Sequence, residues 1–144
     1  MIFDGDDPYD CLVNGIYEVT CPTNPNPAAT LGYEPRGGLG LFSGYMIDVH
    51  FSNRGRQARL IKALQLTRNV AGKGATKAIA IDENTALIVE NLYTRPVGTV
   101  YGSAGGVSLV DVENLIANPS NTTDYENALF SFLTLGDQID LTTG

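Results

Sequence analysis

The stretch MIDVHFSNRGRQARLI, residues 46–61, decides the fold because it joins a strand pattern to a helix pattern. Apolar and polar residues alternate in YMIDVHF, residues 45–51, which predicts a half-buried strand. Ser52 or Asn53 can then cap a helix over about residues 54–67, where apolar residues recur at helical spacing. A strand followed at once by a helix predicts the first half of a strand-helix-strand unit.

Further apolar runs extend this unit into a sheet. KAIAIDE, residues 77–83, is typical of a buried strand, and TALIVEN, residues 85–91, predicts another. VGTVYGSAGGVSLVD, residues 97–111, predicts a hairpin with glycines at its bend. NALFSFLTL, residues 127–135, and QIDLT, residues 138–142, predict two short strands. This order of elements predicts a mixed α/β fold.

The N-terminal part has a different character. Residues 1–37 are dense in Asp, Asn, Pro and Gly, which predicts an irregular segment with one strand near residues 16–20. Within it, Cys11 and Cys21 form a close pair that is compatible with a small disulfide loop, and two free thiols fit equally well. We therefore divide the chain into residues 1–37 and an α/β part over residues 38–144.

Size and charge limit the function classes. A chain of 144 residues with 43% hydrophobic residues predicts one compact unit with a real core. Nine basic against sixteen acidic residues give a formal charge of −7, which repels nucleic acids and anionic membrane surfaces. No apolar run approaches the ~20 residues that span a bilayer. We expect no membrane partner and no nucleic-acid partner.

Cofactor and metal motifs are not matched. GKGATK, residues 72–77, has Gly74 where a phosphate loop needs Ser or Thr after Lys73. One histidine and no C-x-x-C pair give little support for a metal site. YGSAGG resembles a nucleophile elbow around Ser103, but that pattern needs Gly where Tyr101 stands. We expect no cofactor, no metal and no nucleophile at Ser103.

The basic residues are concentrated in one region. Seven of the nine lie between Arg54 and Lys77, a span without Asp or Glu. Cations in the first turns of a helix oppose the macrodipole, so Arg54, Arg56 and Arg59 fit best if they bind an anion such as a carboxylate. A solvated basic face is the plainer alternative.

The only histidine, His50, ends the first predicted strand, where α/β proteins display reactive groups. Asp82 and Glu83 end the next buried strand, so a carboxylate could orient the imidazole as a general base. A structural histidine and turn-capping carboxylates are the alternative interpretation.

Four stretches resemble, in order, the C-terminal half of cyanophycinase-like serine peptidases. They are GGLGLFSGYMIDVHFSNRGRQARLIKAL, AIAIDENTALIVE, VYGSAGGVSLVD and LTLGDQIDL, and together they cover roughly residues 38–141. The resemblance implies a three-layer α/β sandwich of the class I glutamine amidotransferase-like type, of which this chain supplies the C-terminal half of the sheet. It also implies a β-aspartyl-arginine isopeptide as the substrate class.

The resemblance further implies roles for single residues. His50 becomes the general base and Glu83 the acid that orients it, while the pocket for the substrate is shaped by Asp48, Arg54, Arg56 and Arg59. An isoaspartyl linkage leaves a free α-carboxylate, which guanidinium forks recognise. Residue 49 is Val where the family usually has Gln.

The serine elbow of the family, G-T-S-A-G-A, is not found in this sequence. A precursor cut after the elbow, a shortened chain and a homologue without catalysis would each account for this, and we favour the first. The predicted function is then the C-terminal chain of a two-chain serine hydrolase that cleaves an isopeptide or aspartyl peptide bond with a serine-bearing N-terminal chain. A homo-oligomer is compatible with this prediction.

The alternative is a non-catalytic secreted homologue with a structural, storage or acidic-ligand-binding role. Val49, the cysteine pair and the glycosylation sequon at Asn121 favour it. The sequon and the cysteines also favour a secreted or extracellular location, and a cytoplasmic location is the second interpretation. MIFDGDD has neither the basic start nor the apolar stretch of a signal peptide, which is compatible with a trimmed mature chain.

Overall fold

A computed structural model describes residues 42–69, 74–117 and 124–142, together with three short N-terminal strands. In this part of the chain one helix and twelve strands form a mixed α/β fold that is mostly sheet. The elements are β1 (Phe3–Asp4), β2 (Ile16–Glu18), β3 (Leu31–Tyr33), β4 (Tyr45–Val49), α1 (Gln57–Thr67), β5 (Lys77–Ile81), β6 (Thr85–Glu90), β7 (Val97–Gly102), β8 (Val107–Asp111), β9 (Ile116–Ala117), β10 (Tyr125–Glu126), β11 (Leu129–Leu133) and β12 (Gln138–Asp140).

The central sheet has four strands in the order β11-β8-β5-β4. β4 and β5 are parallel, with Val49 opposite Ile81, and α1 connects them as the sequence predicts. β8 is antiparallel to β5 and to β11. Because parallel strands end at the same sheet edge, this register brings the residues after Val49 next to those after Ile81.

The helix starts later than predicted. Residues 51–56 form turns, and α1 begins at Gln57 without a side-chain N-cap hydrogen bond, so the prediction of a cap at Ser52 or Asn53 is wrong. Gly55 has a φ of +58°, a left-handed conformation that does not continue a right-handed helix. The N–H of Ser52 is already held by Asp82 at 2.9 Å.

Two hydrophobic cores lie on opposite faces of the central sheet. Met46, Ala78 and Val110 pack with Leu60 and Leu64 of α1 on one face. On the other face the central sheet packs against a second sheet, and the buried residues of this core are Ile79, Val100, Val107, Leu109 and Leu141. The alternation of side chains along the strands produces this division.

The second sheet, in the order β12-β7-β6, corrects one prediction. Residues 97–111 were expected to form a hairpin, but β7 pairs with β6 and β12, whereas β8 pairs with β5 and β11. The first four residues of β8 are buried, which a central strand covered on both faces requires. The predicted strands at residues 127–135 and 138–142 are confirmed as β11 and β12.

The N-terminal segment contains a small sheet of its own, β1-β3-β2, and the strand predicted near residues 16–20 is confirmed as β2. Cys11, Cys21 and Asn121 lie outside the described residues, so the disulfide and the glycan stay predictions. In the part of the chain that is described, no helix has the length and apolar character needed to cross a membrane.

Candidate functional site

His50 and Glu83 meet at the C-terminal edge of the central sheet. His50 directly follows β4, and Glu83 lies two residues after the end of β5. The parallel register places them side by side, with 3.0 Å between His50 Nδ1 and Glu83 Oε1. The backbone of His50 has a φ of +54°, which few residues with a side chain adopt. Histidine, asparagine and aspartate adopt this region more often than other residues with a side chain do.

The contact sets the chemistry of the ring. A carboxylate only accepts hydrogen bonds, so a neutral imidazole beside it carries its proton on Nδ1 and keeps a lone pair on Nε2. The side chain of His50 is 50% exposed and that of Glu83 is 29% exposed. A half-exposed imidazole with a basic Nε2 can take a proton from a group that approaches from solvent.

Hydrogen bonds to Glu83 favour its charged form. The backbone N–H of Glu83 itself is the largest cause that lowers its pKa, and the side chains of His50 and Asn53 lower it further. Desolvation of the carboxyl group raises its pKa, but the hydrogen bonds outweigh this effect. Glu83 is therefore ionised at neutral pH and can stabilise an imidazolium.

Asp82, the residue before Glu83, is not part of this surface pair. It is buried, and its two oxygens accept hydrogen bonds from the N–H of Ser52 at 2.9 Å and of Gly106 at 3.1 Å. Its own N–H donates to the carbonyl of Gly106 at 3.1 Å. Asp82 thus joins the turn after His50 to the loop before β8. The strand pattern alone predicted both acids at this edge without separating their roles, and the family resemblance implied Glu83 as the acid that orients the ring.

Asp48, Arg56 and Arg59 form a buried ion cluster beneath the turn. Their side chains are 6%, 8% and 5% exposed. Arg56 Nη1 lies 3.3 Å from Asp48 Oδ1 and also donates to the carbonyl of Val49, while Arg59 Nη2 donates to the same Asp48 oxygen. These contacts tie the end of β4 to the start of α1.

The predicted substrate pocket includes both buried and exposed arginines. Arg56 and Arg59 direct guanidinium nitrogens at Asp48 inside the protein, whereas Arg54 is exposed in the turn. A signal for the cluster existed in the sequence, since Asp48 shares the inward face of β4 with Met46 and a buried carboxylate needs a cation. The substrate-binding roles of all four residues stay predictions.

A glycine loop, residues 102–105, contacts the residues on either side of Glu83. Ser103 is exposed and its N–H donates to the carbonyl of Asn84 at 3.1 Å, and Thr85 Oγ1 donates to the carbonyl of Ala104 at 2.6 Å. A Cβ atom at Gly105 would lie only 2.6 Å from Asp82 Cβ. A recess of about 170 Å³ opens between this loop and the turn after β11. It is large enough for a small side chain or a few waters.

No family model matches the chain, and no solved structure matches it. Across residues 42–69, 74–117 and 124–142, no three His, Cys, Asp or Glu side chains are grouped so that they could hold a metal ion. The His50–Glu83 pair is therefore the feature with the clearest chemical capability, which is proton transfer.

Proposed function

We propose that this chain is the histidine-bearing part of a two-chain serine hydrolase of the cyanophycinase-like type. The observation that carries the proposal is the 3.0 Å contact between His50 Nδ1 and Glu83 Oε1 at the ends of two parallel strands. A general base backed by a carboxylate is the part of an acyl-transfer site that accepts and returns a proton. The attacking hydroxyl comes from a serine on an N-terminal chain of the same precursor.

In this reaction His50 Nε2 takes the proton of the serine hydroxyl as the serine oxygen bonds to the substrate carbonyl carbon. His50 then gives that proton to the leaving amine, which leaves an acyl-serine. Water attacks the acyl group with the same base, and serine regains its proton. Glu83 keeps the ring oriented and stabilises the imidazolium in both steps.

The open edge of β4 supports a companion chain. β4 is an outer strand of the described central sheet, and its outward-facing Ile47 and Val49 are 40% and 49% exposed. An unpaired edge with apolar side chains favours the addition of a further strand. With strands of the companion added there, the central sheet would extend into the three-layer sandwich of the class I glutamine amidotransferase-like type, this chain supplying its C-terminal half.

The substrate class follows from the arginine turn. A β-aspartyl bond leaves a free α-carboxylate beside the scissile amide, and a guanidinium group is a suitable receptor for it. Arg54 lies in the exposed turn four residues after His50, so it is our candidate for this contact. Asp48, Arg56 and Arg59 would shape the pocket indirectly by holding the turn in place.

The test is hydrolysis of β-aspartyl-arginine dipeptide by this chain assembled with its serine-bearing companion. We expect His50→Ala and Glu83→Gln each to lower kcat/KM by about 10²- to 10⁴-fold. Asp140→Asn is the matched control, because Asp140 is also an ion-paired carboxylate. It pairs with Arg95 near the start of β7, whereas Glu83 lies near the end of that strand. Unchanged turnover in His50→Ala would remove the proposal.

The alternative, a non-catalytic secreted homologue that binds an acidic ligand, gives a different result. Intact mass spectrometry of native material would then find no companion with a serine elbow, and the chain would bind β-aspartyl-arginine without cleaving it. Loss of that binding in Arg54→Ala with no turnover in any assembly would favour this alternative.

A further inference from the structure

Among the strands that the structure describes, β11 is the outer strand of the central sheet on the side opposite β4. Leu129, Phe130 and Phe132 are 62%, 46% and 56% exposed, although a monomer normally protects an apolar edge strand with charges, proline or a covering element. No such protection is present in β11 itself. This strand therefore offers backbone and apolar side chains for pairing.

The sequence of β11 is the same in both directions. Residues 129–133 are LFSFL, with Ser131 at the centre. A two-fold axis relates identical surfaces, so a strand with this symmetry is complementary to its own copy in the antiparallel direction.

Charge favours the same partner. The chain has a formal charge of −7, which opposes the approach of two copies over most surfaces. Residues 127–136, which include β11, contain no charged side chain. Two copies can approach along this strand without direct like-charge contacts.

We propose that two copies of this chain form a homodimer by antiparallel pairing of β11 with its counterpart about a two-fold axis at Ser131. In this register Phe130 lies opposite Phe132 of the partner subunit on one face. Leu129 lies opposite Leu133 of the partner subunit on the other face. Each of these cross-strand pairs occurs twice, and directly opposite aromatic or aliphatic side chains stabilise antiparallel strands.

The dimer would have one continuous sheet, because two four-stranded sheets joined at their β11 edges give eight strands. In that sheet the two copies of β4, each with its His50–Glu83 pair, are the outermost strands and lie farthest from the dimer axis. Dimerisation is thus independent of the proposed hydrolase function and of a companion chain at β4. A single paired strand is a small interface, so we expect a concentration-dependent equilibrium.

The register is tested by cysteine cross-linking of Ser131→Cys. At the axis, residue 131 faces its own copy with a Cα separation of about 4.5–5.5 Å, which lies within the usual disulfide range. Leu129→Cys is the matched control, since four residues along the strand, about 13 Å, separate it from its own copy. We expect a covalent dimer under mild oxidation for Ser131→Cys above the level of Leu129→Cys and of the unaltered chain, which contains Cys11 and Cys21.

A charge exchange gives a second, reversible readout. Ser131→Glu and Ser131→Lys each place two like charges at the axis, so each variant alone should sediment as a monomer at concentrations where the unaltered chain dimerises. An equimolar mixture should regain the dimer, because unlike charges then meet. Circular dichroism checks that both variants fold, which is expected since Ser131 is exposed. Equal cross-linking of the two cysteine variants, or charge variants that sediment like the unaltered chain, would overturn the proposal and indicate that β11 is covered by another segment or partner.

Discussion

The carboxylate of Asp82 accepts a hydrogen bond of 2.9 Å from the N–H of Ser52. This bond attaches the turn after His50 to the end of β5. Glu83, the next residue, then lies in the position from which it reaches the imidazole. Two adjacent acids thus divide two tasks. One holds the backbone from inside the protein, and the other contacts the ring at the surface.

Asp82→Asn should destabilise the protein by about 1–3 kcal/mol, since an amide offers one acceptor where two backbone N–H groups need acceptors. Urea unfolding measures this change. Amide hydrogen exchange should also become faster at Ser52 or Gly106. Glu113→Gln, at an exposed position after β8, is the control and should stay within ~0.5 kcal/mol of the unaltered chain. Equal stability of the two variants would contradict the bridging role.

Asp48→Asn should be among the most damaging single changes, because it leaves two buried guanidinium groups without their carboxylate. Breaking a buried ion pair from one side costs about 3–5 kcal/mol. Urea unfolding is the measurement, since urea does not screen charge. Asp111→Asn is the control: Asp111 pairs with Lys77 at 3.7 Å near the surface, where such pairs contribute about 0–1 kcal/mol. Similar losses in both variants would show that the cluster is not effectively buried.

His50 is the only histidine, so its ring nitrogens can be observed without overlap. We expect its neutral form to carry the proton on Nδ1, because Glu83 Oε1 is the acceptor at 3.0 Å. Nitrogen-15 spectroscopy of the neutral ring distinguishes the two tautomers. Glu83→Ala should remove the preference, whereas Asp140→Asn should leave it intact. A proton found on Nε2 in the unaltered chain would contradict the orientation on which the proposed proton transfer depends.

Local patterns were sufficient for the strand-helix-strand unit and for placing His50 near Asp82 and Glu83, whereas the choice of Glu83 came from the family resemblance. Alternation in β4, helical spacing in α1 and the apolar run of β5 predict a parallel pair, and a parallel pair has its C-terminal ends at one edge. The geometry of the site is largely a consequence of that register. The family resemblance and the roles taken from it stay predictions.

Other features depend on contacts that are distant in sequence. The glycines between β7 and β8 fit a hairpin bend, but pairing with β5 and β11 draws β8 into the central sheet and leaves β7 in the other. The first helical turn fails to form because Gly55 is left-handed and Ser52 is bonded to Asp82. Neither competing interaction is visible in a short window of sequence.

Acid should weaken the fold partly through Glu83. Its pKa in the folded protein is lowered from the ordinary 4.5, first by its own backbone N–H and then by the side chains of His50 and Asn53. A lowered pKa contributes stability that is fully present above about pH 4.5 and is lost as the pH falls through the folded value. Glu83→Gln should therefore lose less unfolding free energy on acidification than the unaltered chain. Parallel pH profiles in urea unfolding would contradict this.

Asp140 supplies an independent comparison for that profile. Its pKa is lowered from the ordinary 3.8 by the N–H of Thr142 first and then by Arg95. Asp140→Asn should remove a separate contribution to the unfolding free energy. That contribution is lost as the pH falls below about 3.8, whereas the Glu83 contribution begins to be lost below about pH 4.5. Because the two carboxylates share no partner, their effects should add in the double variant.

Gly105→Ala tests the contact between the glycine loop and the acid that fixes the turn. A Cβ at residue 105 would lie 2.6 Å from Asp82 Cβ and 3.1 Å from Thr85 Oγ1, and the backbone there has a φ of +77°. Gly136→Ala is the matched control, with a φ of +87° and open space around the added atom. Left-handed strain alone costs about 1–2 kcal/mol in both. We expect a larger loss of unfolding free energy in Gly105→Ala, together with a changed amide resonance of Ser52, because the added methyl group displaces Asp82. Equal losses and an unchanged Ser52 signal would mean that the loop moves away without disturbing the turn of His50.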